Sequence, residues 1–256
     1  MTETAADQLV TYAVQSGVAW IRLNRPDKRN AVNDALRSSL AGAVRQAERD
    51  PQARVVVVTG SGQAFCAGAD VREFQGREGA VEQVRTEYER ILTGLHTMPK
   101  PTIAAVNGVA AGIGVSVALS CDLRYAVPDA YFREAFVNIG LTVDGGASWL
   151  LPRLVGSGRA LELFYTGDDL AAAEAERIGL VNHVVPAEEL EPTVRSLAER
   201  LAAGPSKALG AMKRSVNFAA NATLEEAIDF EFLLQGVMME GEDFRERVQA
   251  FLERRA

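Results

Sequence analysis

Two glycine-rich stretches carry the chemistry that this sequence can do. The first is Gly108-Val109-Ala110-Ala111-Gly112-Ile113-Gly114-Val115-Ser116-Val117-Ala118-Leu119. It follows an apolar run, Thr102 to Val106, that reads as a buried strand, and its later half is small and apolar enough for a buried helix. Glycine has no Cβ, so a strand, a glycine turn and a helix let the backbone approach another group closely. The start of the helix leaves N–H groups free and presents the positive end of its dipole. Such a terminus suits a phosphate, a carboxylate or an oxyanion; glycines that open a buried helix also serve close packing alone. The second stretch, Ala64-Phe65-Cys66-Ala67-Gly68-Ala69-Asp70, follows a strand signal over Arg54 to Thr59 and a Gly60-Ser61-Gly62 turn. It can present backbone N–H groups in the same way. Two such loops aimed at one carbonyl oxygen would form an oxyanion hole. The sequence does not say whether they meet in space.

Together with Cys121-Asp122-Leu123-Arg124 and Leu150-Leu151-Pro152-Arg153-Leu154-Val155-Gly156, the two stretches resemble the crotonase (enoyl-CoA hydratase/isomerase) superfamily. The likeness runs from about Leu9 to the C-terminus. It implies an α/β fold, a β-β-α superhelix over residues 1–195, and a C-terminal helical trimerisation region over 196–256. It implies a coenzyme A thioester as substrate, with no separate cofactor, and a homotrimer or homohexamer. The thioester oxygen would be held by the N–H groups of Ala69 and Ile113. Ala67, Gly68, Asp70, Gly112, Ser116 and Phe136 count among the substrate-binding residues, Asp70 mainly as a structural one. Val71 and Phe74, after the first loop, are the candidates for the acyl pocket.

A reaction also needs a group that moves protons. Hydratases of this family use two glutamates, and here their places fall on Ser116 and Phe136. Glu134 is two residues from the second place, but the spacing to Gly140 argues against it. A different carboxylate stands in Leu141-Thr142-Val143-Asp144-Gly145-Gly146. This segment resembles the enoyl-CoA isomerase branch, most closely the ring 1,2-epoxyphenylacetyl-CoA isomerases, which place one acidic residue at the position of Asp144. One base suffices to take a proton from C2 and return it elsewhere, and an apolar pocket would raise its pKa usefully. By its residue chemistry alone, Asp-Gly-Gly before a helix also fits a turn or a helix cap. Ser116 has no motif for a His-Asp partner, so a serine hydrolase is disfavoured. Trp149, Phe65 and Phe132 read as core.

The loop Asn24-Arg25-Pro26-Asp27-Lys28-Arg29-Asn30 is a solvated turn by composition; the resemblance implies that Lys28, and with it Arg25, contacts the CoA nucleotide. The chain is otherwise acidic: 27 basic against 34 acidic residues give a formal charge of −7. That balance argues against nucleic acid or an anionic membrane as general partners. Hydrophobic residues at 48% and charged residues at 24% are ordinary for a globular domain, and no apolar run approaches a membrane span. Met1 to Gln8 is polar and acidic, unlike a signal peptide. Cys66 and Cys121 read as buried thiols, and a cytoplasmic location is expected. His96 and His183 are the only histidines, and no Cys/His cluster has metal spacing, so no metal site is expected.

These residues need a scaffold. Leu9 to Val14 and Val18 to Leu23 give a hairpin signal around Gln15-Ser16-Gly17. Ala31 to Asp50 and Val81 to His96 read as helices, and Val55 to Val58 as a strand covered on both faces. Beyond Pro186 the strand signal ends. Glu188 to Ala203, Ser206 to Phe218, Leu224 to Met239 and Glu242 to Arg254 all read as helices, a tail that folds back on its own core or packs on neighbouring subunits. The leading expectation is an acyl-CoA isomerase, moving a double bond or rearranging an epoxy-aryl thioester. The rivals are an enoyl-CoA hydratase and a non-catalytic acyl-CoA-binding protein.

Overall fold

The computed structural model describes residues 8–74 and 81–253. It opens with the expected hairpin, β1 (Val10–Gln15) antiparallel to β2 (Val18–Leu23), turning at Ser16 and Gly17 with positive φ at both. A short 3-10 turn, Pro26–Lys28, precedes α1 (Asp34–Arg49). The helix starts three residues later than the periodicity suggests. Val32 is drawn into a bridge with Ala69, and the Asn33 side chain caps the helix by accepting the Leu36 N–H at 2.9 Å.

Three strand pairs follow, each with one strand in each of two sheets. They are β3 (Val55–Gly60) with β4 (Ala64–Cys66), β5 (Thr102–Val106) with β6 (Val109–Ala111), and β7 (Leu123–Ala126) with β8 (Tyr131–Arg133). Helix α2 (Val81–Thr97) links the first pair to the second, and α3 (Ile113–Leu119) links the second to the third. β3, β5 and β7 lie parallel and adjacent in a six-stranded sheet; β4, β6 and β8 do the same in a four-stranded sheet. This is the β-β-α superhelix: each turn adds a rung to both sheets. β3 and β5 are buried along their whole length, which explains their continuous Val, Ile and Ala content.

The remaining elements are α4 (Ala147–Val155), α5 (Ser157–Thr166), β9 (Leu170–Ala171), α6 (Ala172–Arg177), β10 (His183–Val184), α7 (Ala187–Ala202), α8 (Ser206–Ala219), α9 (Leu224–Met239) and α10 (Glu242–Glu253). The expected division at residue 195 falls inside α7. That helix buries Leu190, Val194, Ala198 and Ala202 against the large sheet, so it belongs to the core. The helices that bury no residue are α9 and α10. α9 carries apolar residues on all sides and leaves Leu224, Phe232, Leu233 and Val237 exposed.

α8 is held to the core by a buried cation. Lys213 Nζ lies 3.0 Å from an Asp122 carboxylate oxygen and donates to the carbonyls of Leu95 and Lys100 and to the Thr102 hydroxyl. Asp122 in turn accepts the Thr102 N–H at 2.8 Å. Desolvation lowers the Lys213 pKa, opposed by Asp122. Removing one partner of such a pair strands the other. Lys213→Met should lower the unfolding free energy by about 3 kcal/mol in urea titrations.

Candidate active site

The two glycine-rich loops meet. β4 pairs with β6 in parallel, Ala64 facing Val109 and Cys66 facing Ala110. Beyond the pairing the backbones approach more closely still. A Cβ on Gly68 would lie 3.0 Å from the Ala111 carbonyl oxygen, and one on Gly114 would lie 2.4 Å from the Cys66 carbonyl oxygen. Gly114 is therefore required by contact, not by conformation, since its φ is ordinary.

The free donors follow from this packing. In the bridge between Val32 and Ala69, Val32 donates to the Gly68 carbonyl and accepts the Asp70 N–H. By the alternation of an extended backbone, the Ala69 N–H faces away from Val32. Ile113 opens α3, and its N–H has no partner within that helix. Gly112 before it donates to the Arg133 carbonyl at 2.8 Å. α3 is only seven residues long, so these donors act as N–H groups and not through a long helix dipole. The bends ahead of the loops are pinned by side-chain amides. Buried Asn30 donates to the carbonyls of Ser61 and Ala64 and accepts the Arg25 N–H, and Asn107 donates to the carbonyls of Gly62 and Ala64.

Arg25 and Asp70 are bound to each other, with Nη1 to Oδ2 at 2.8 Å, and Arg25 also donates to the Ala31 carbonyl. The guanidinium holds the Asp70 carboxyl below its ordinary range. Arg25 thus helps to fix the first loop, whereas Lys28 is exposed. Ala67 donates to the Arg29 carbonyl. Val71, on the 3-10 turn Val71–Phe74, is more than half exposed and does not line the cavity described next; the Phe74 side chain lies outside the described residues.

The cavity has a volume of about 730 Å³ and lies between α2, the start of α4 and α8. Tyr88, Leu92 and His96 form one wall, Asp144, Trp149 and Leu150 another. Trp149, expected in the core, is half-buried here, edge-on to His96 with ring centres 5.4 Å apart and 3.9 Å beneath the Arg153 guanidinium. Asn217 of α8 closes one side and donates to the His96 carbonyl. Phe65 and Phe132 are core residues as expected.

Asp144 caps nothing. The N-cap of α4 is Gly146, and only the Asp144 backbone carbonyl is used, by the Ala147 N–H and by the Ser116 hydroxyl at 3.4 Å. The side chain keeps accessible surface because it faces the cavity, yet protein atoms crowd it, and that desolvation raises its pKa. Gly145 seats it against α3: a Cβ there would lie 2.6 Å from Ile113 Cδ1 and 2.9 Å from Ser116 Cβ. Ser116 is fully buried behind this contact. The Phe136 ring covers Gly112, at 3.5 Å from where a Cβ would stand. Glu134, against which the spacing argues, is 2% exposed, and its carboxylate oxygens have no hydrogen-bond partner among the described residues. Burial, reinforced by Asp144, pushes it up to about 8. Tyr88 and His96 share α2, but nothing local in the sequence signals that Asn217, on α8, converges with them.

Backbone donors near one end of α3 can stabilise negative charge on a carbonyl oxygen, and a carboxylate on an apolar cavity can move a proton. The enoyl-CoA hydratase/isomerase family model matches residues 13–256, and the chain belongs to that family. It is 41% identical over 247 residues to a "Probable enoyl-CoA hydratase" of Rhodobacter capsulatus, covering 96% of this chain and 95% of that one. It is 39% identical over 248 residues to the 1,2-epoxyphenylacetyl-CoA isomerase of Escherichia coli, covering 95% of each. Among solved structures, an enoyl-CoA hydratase from Bacillus anthracis superposes with a TM-score of 0.90 at 34% identity, covering 96% of this chain and 97% of that one. Family members act on acyl-CoA, and the fold is the crotonase fold.

The loop contact yields a direct test. Gly114→Ala should force the first loop away from α3, lowering the melting temperature and cutting turnover of an acyl-CoA substrate at least 100-fold, the cost of about one oxyanion donor. Circular dichroism melts and steady-state assays measure both effects.

Proposed function

We propose that the protein is an acyl-CoA isomerase in which Asp144 is the proton shuttle. The observation that carries this reading is the Asp144 side chain itself: it lines an apolar cavity and serves no helix cap, and the neighbouring Gly145 sits against the first turn of α3. The two places used by hydratase glutamates hold a sealed serine and a phenylalanine. The thioester oxygen accepts the N–H groups of Ala69 and Ile113. Asp144 takes the C2 proton of a 3-enoyl thioester, and the C–H electron pair moves into the enolate, placing negative charge on that oxygen. Donors already in place stabilise the charge without reorganisation. The proton then returns at C4, leaving the 2-enoyl thioester. The same base and enolate would serve rearrangement of an epoxide-bearing aryl thioester, and the Tyr88, His96 and Trp149 walls suit a flat acyl group. Lys28, exposed on an otherwise acidic chain, is the residue offered to the CoA phosphates.

The hydratase reading has support in the name of the Rhodobacter capsulatus relative and in the buried carboxyl of Glu134. Asp144→Asn separates the two. It should reduce 3-enoyl-CoA isomerisation and C2 deuterium exchange by about 10³-fold, in the range for loss of a general base, with acyl-CoA binding retained. Isomers share a mass, so products are read by NMR. Near-full isomerisation in the variant removes Asp144 from the role. Wild type that hydrates 2-enoyl thioesters without isomerising supports the hydratase, and tight binding without turnover across 2-enoyl, 3-enoyl and aryl thioesters supports a binding protein.

The apolar residues exposed on α9 and α10, including Leu224, Phe232, Leu233 and Phe251, suit burial between subunits. A trimer or hexamer is expected: sedimentation at micromolar concentration should give a multiple of three chains, and a monomer or plain dimer would refute it.

A further inference from the structure

Glu134 is a buried carboxyl that the proposed chemistry leaves unused. It follows Arg133, whose carbonyl accepts the Gly112 N–H, and it precedes the 3-10 turn Ala135–Ile139 that lays Phe136 over Gly112. Both of its oxygens are closed to solvent and without a hydrogen-bond partner. The neighbouring cation points elsewhere: Arg133 pairs with Asp169 at 2.6 Å and lies 5.7 Å from the Tyr131 ring. An ionised carboxylate in that position has nothing to offset its desolvation, so the acid form prevails.

The charged surroundings are few. Asp144, from the loop before α4, is the charge whose field reaches Glu134. The field of Asp144 also reaches Tyr88 of α2, whose phenol is pushed up by burial and stays neutral. Arg37 of α1 stands 5.5 Å from the Tyr88 ring and is paired with Asp34 and Glu87. Cys66 of β4, also near Tyr88, is a buried thiol pushed up to about 12.

We propose that Glu134 is a positioning residue for Asp144, a carboxyl kept in its acid form so that a single negative charge faces the enolate. The proposal rests on Asp144 being the base. Because its oxygens are sealed, Glu134 acts through the field at Asp144 and does not touch substrate. Ionising it puts a second negative charge beside the base and against the charge growing on the thioester oxygen. Burial and Asp144 push Glu134 up to about 8, so that event falls at the alkaline edge of neutrality. The two carboxyls then form opposite limbs of one profile. Activity is lost at low pH as Asp144 gains a proton and at high pH as Glu134 loses one, with apparent values that belong to the pair.

The test is the pH dependence of kcat and KM for a 3-enoyl-CoA, from pH 5 to 10, in wild type, Glu134→Gln and Glu134→Leu. Wild type should lose kcat about tenfold per unit above the alkaline limb, with KM little changed. Both variants should keep the acid limb and lose the alkaline one. A wild-type profile flat to pH 10, or an alkaline limb unchanged in the variants, overturns the proposal. Carboxyl-labelled glutamate followed by ¹³C NMR in wild type gives an answer that needs no variant to fold. One resonance should titrate near pH 8, and titration of every glutamate below pH 6 overturns the proposal. Asp144→Asn distinguishes the two readings. Retained isomerisation there removes the base, whereas a high-titrating glutamate that does not move down in that variant removes the coupling to Glu134.

Discussion

The structure depends on one close contact between two backbones. The carbonyl of Cys66 and the α-carbon of Gly114 occupy space that no side chain could share, and Gly68 meets Ala111 almost as tightly. Such an approach cannot be made by loops alone, because a loop has too much freedom to be held within a few tenths of an ångström. Here each loop continues a strand, and the strands β4 and β6 are already hydrogen-bonded to one another. Asn30 and Asn107 take over where the ladder stops, giving buried carbonyls at the bend the partners that a sheet would otherwise supply. The Arg25–Asp70 pair then ties the end of the first loop to the segment before α1. No hydrogen bond from the N–H groups of Ala69 and Ile113 is seen among the described residues, and fixed, unpaired donors are what an oxyanion needs.

The electrostatics of the cavity are built from omission. Among the described residues no cation pairs with Asp144 and no hydrogen bond reaches its carboxylate, and desolvation moves its pKa upward. Cations close by are spent elsewhere: Arg37 on Asp34 and Glu87, Arg133 on Asp169, and Lys213 on Asp122 and three further acceptors. A carboxylate made more basic by its surroundings accepts a carbon-bound proton more readily than a salt-bridged one. The aromatic and aliphatic walls serve the same end, since they exclude water that would solvate the charge.

Much of this was legible in the sequence wherever the signal was local. Thr102–Val106 and Leu224–Met239 have the limits that the apolar pattern suggested, because strand burial and the Thr223–Glu226 capping box are written in consecutive residues. The family resemblance supplied the meeting of the two loops, which no pattern within either could give. What stayed hidden depends on long-range packing. Trp149 looks like a core residue by type, and only the position of α2 opens a cavity beside it. Ser116 lies on the glycine-opened helix, yet Gly145, from a segment 29 residues later, seals it from the cavity. The spacing to Gly140 that argues against Glu134 concerns register along the chain; what sets Glu134 apart is its depth, which register does not report.

The interleaving of two sheets also sets an order of events. Ala69 and Ile113 stand 44 residues apart, and Asp144 is further along still, so every part of the site is joined by contacts distant in sequence. Parallel pairings of this kind form late and slowly, because loop closure must precede any gain from them. Neither rung of the small sheet can hold its glycines against the other until both large-sheet strands above them are in register. A chain emerging during synthesis therefore holds helices and isolated strands well before it holds the pair of donors. The donors are among the last features to form, and a chain that stalls short of complete winding exposes β-branched strand edges before its two loops have met.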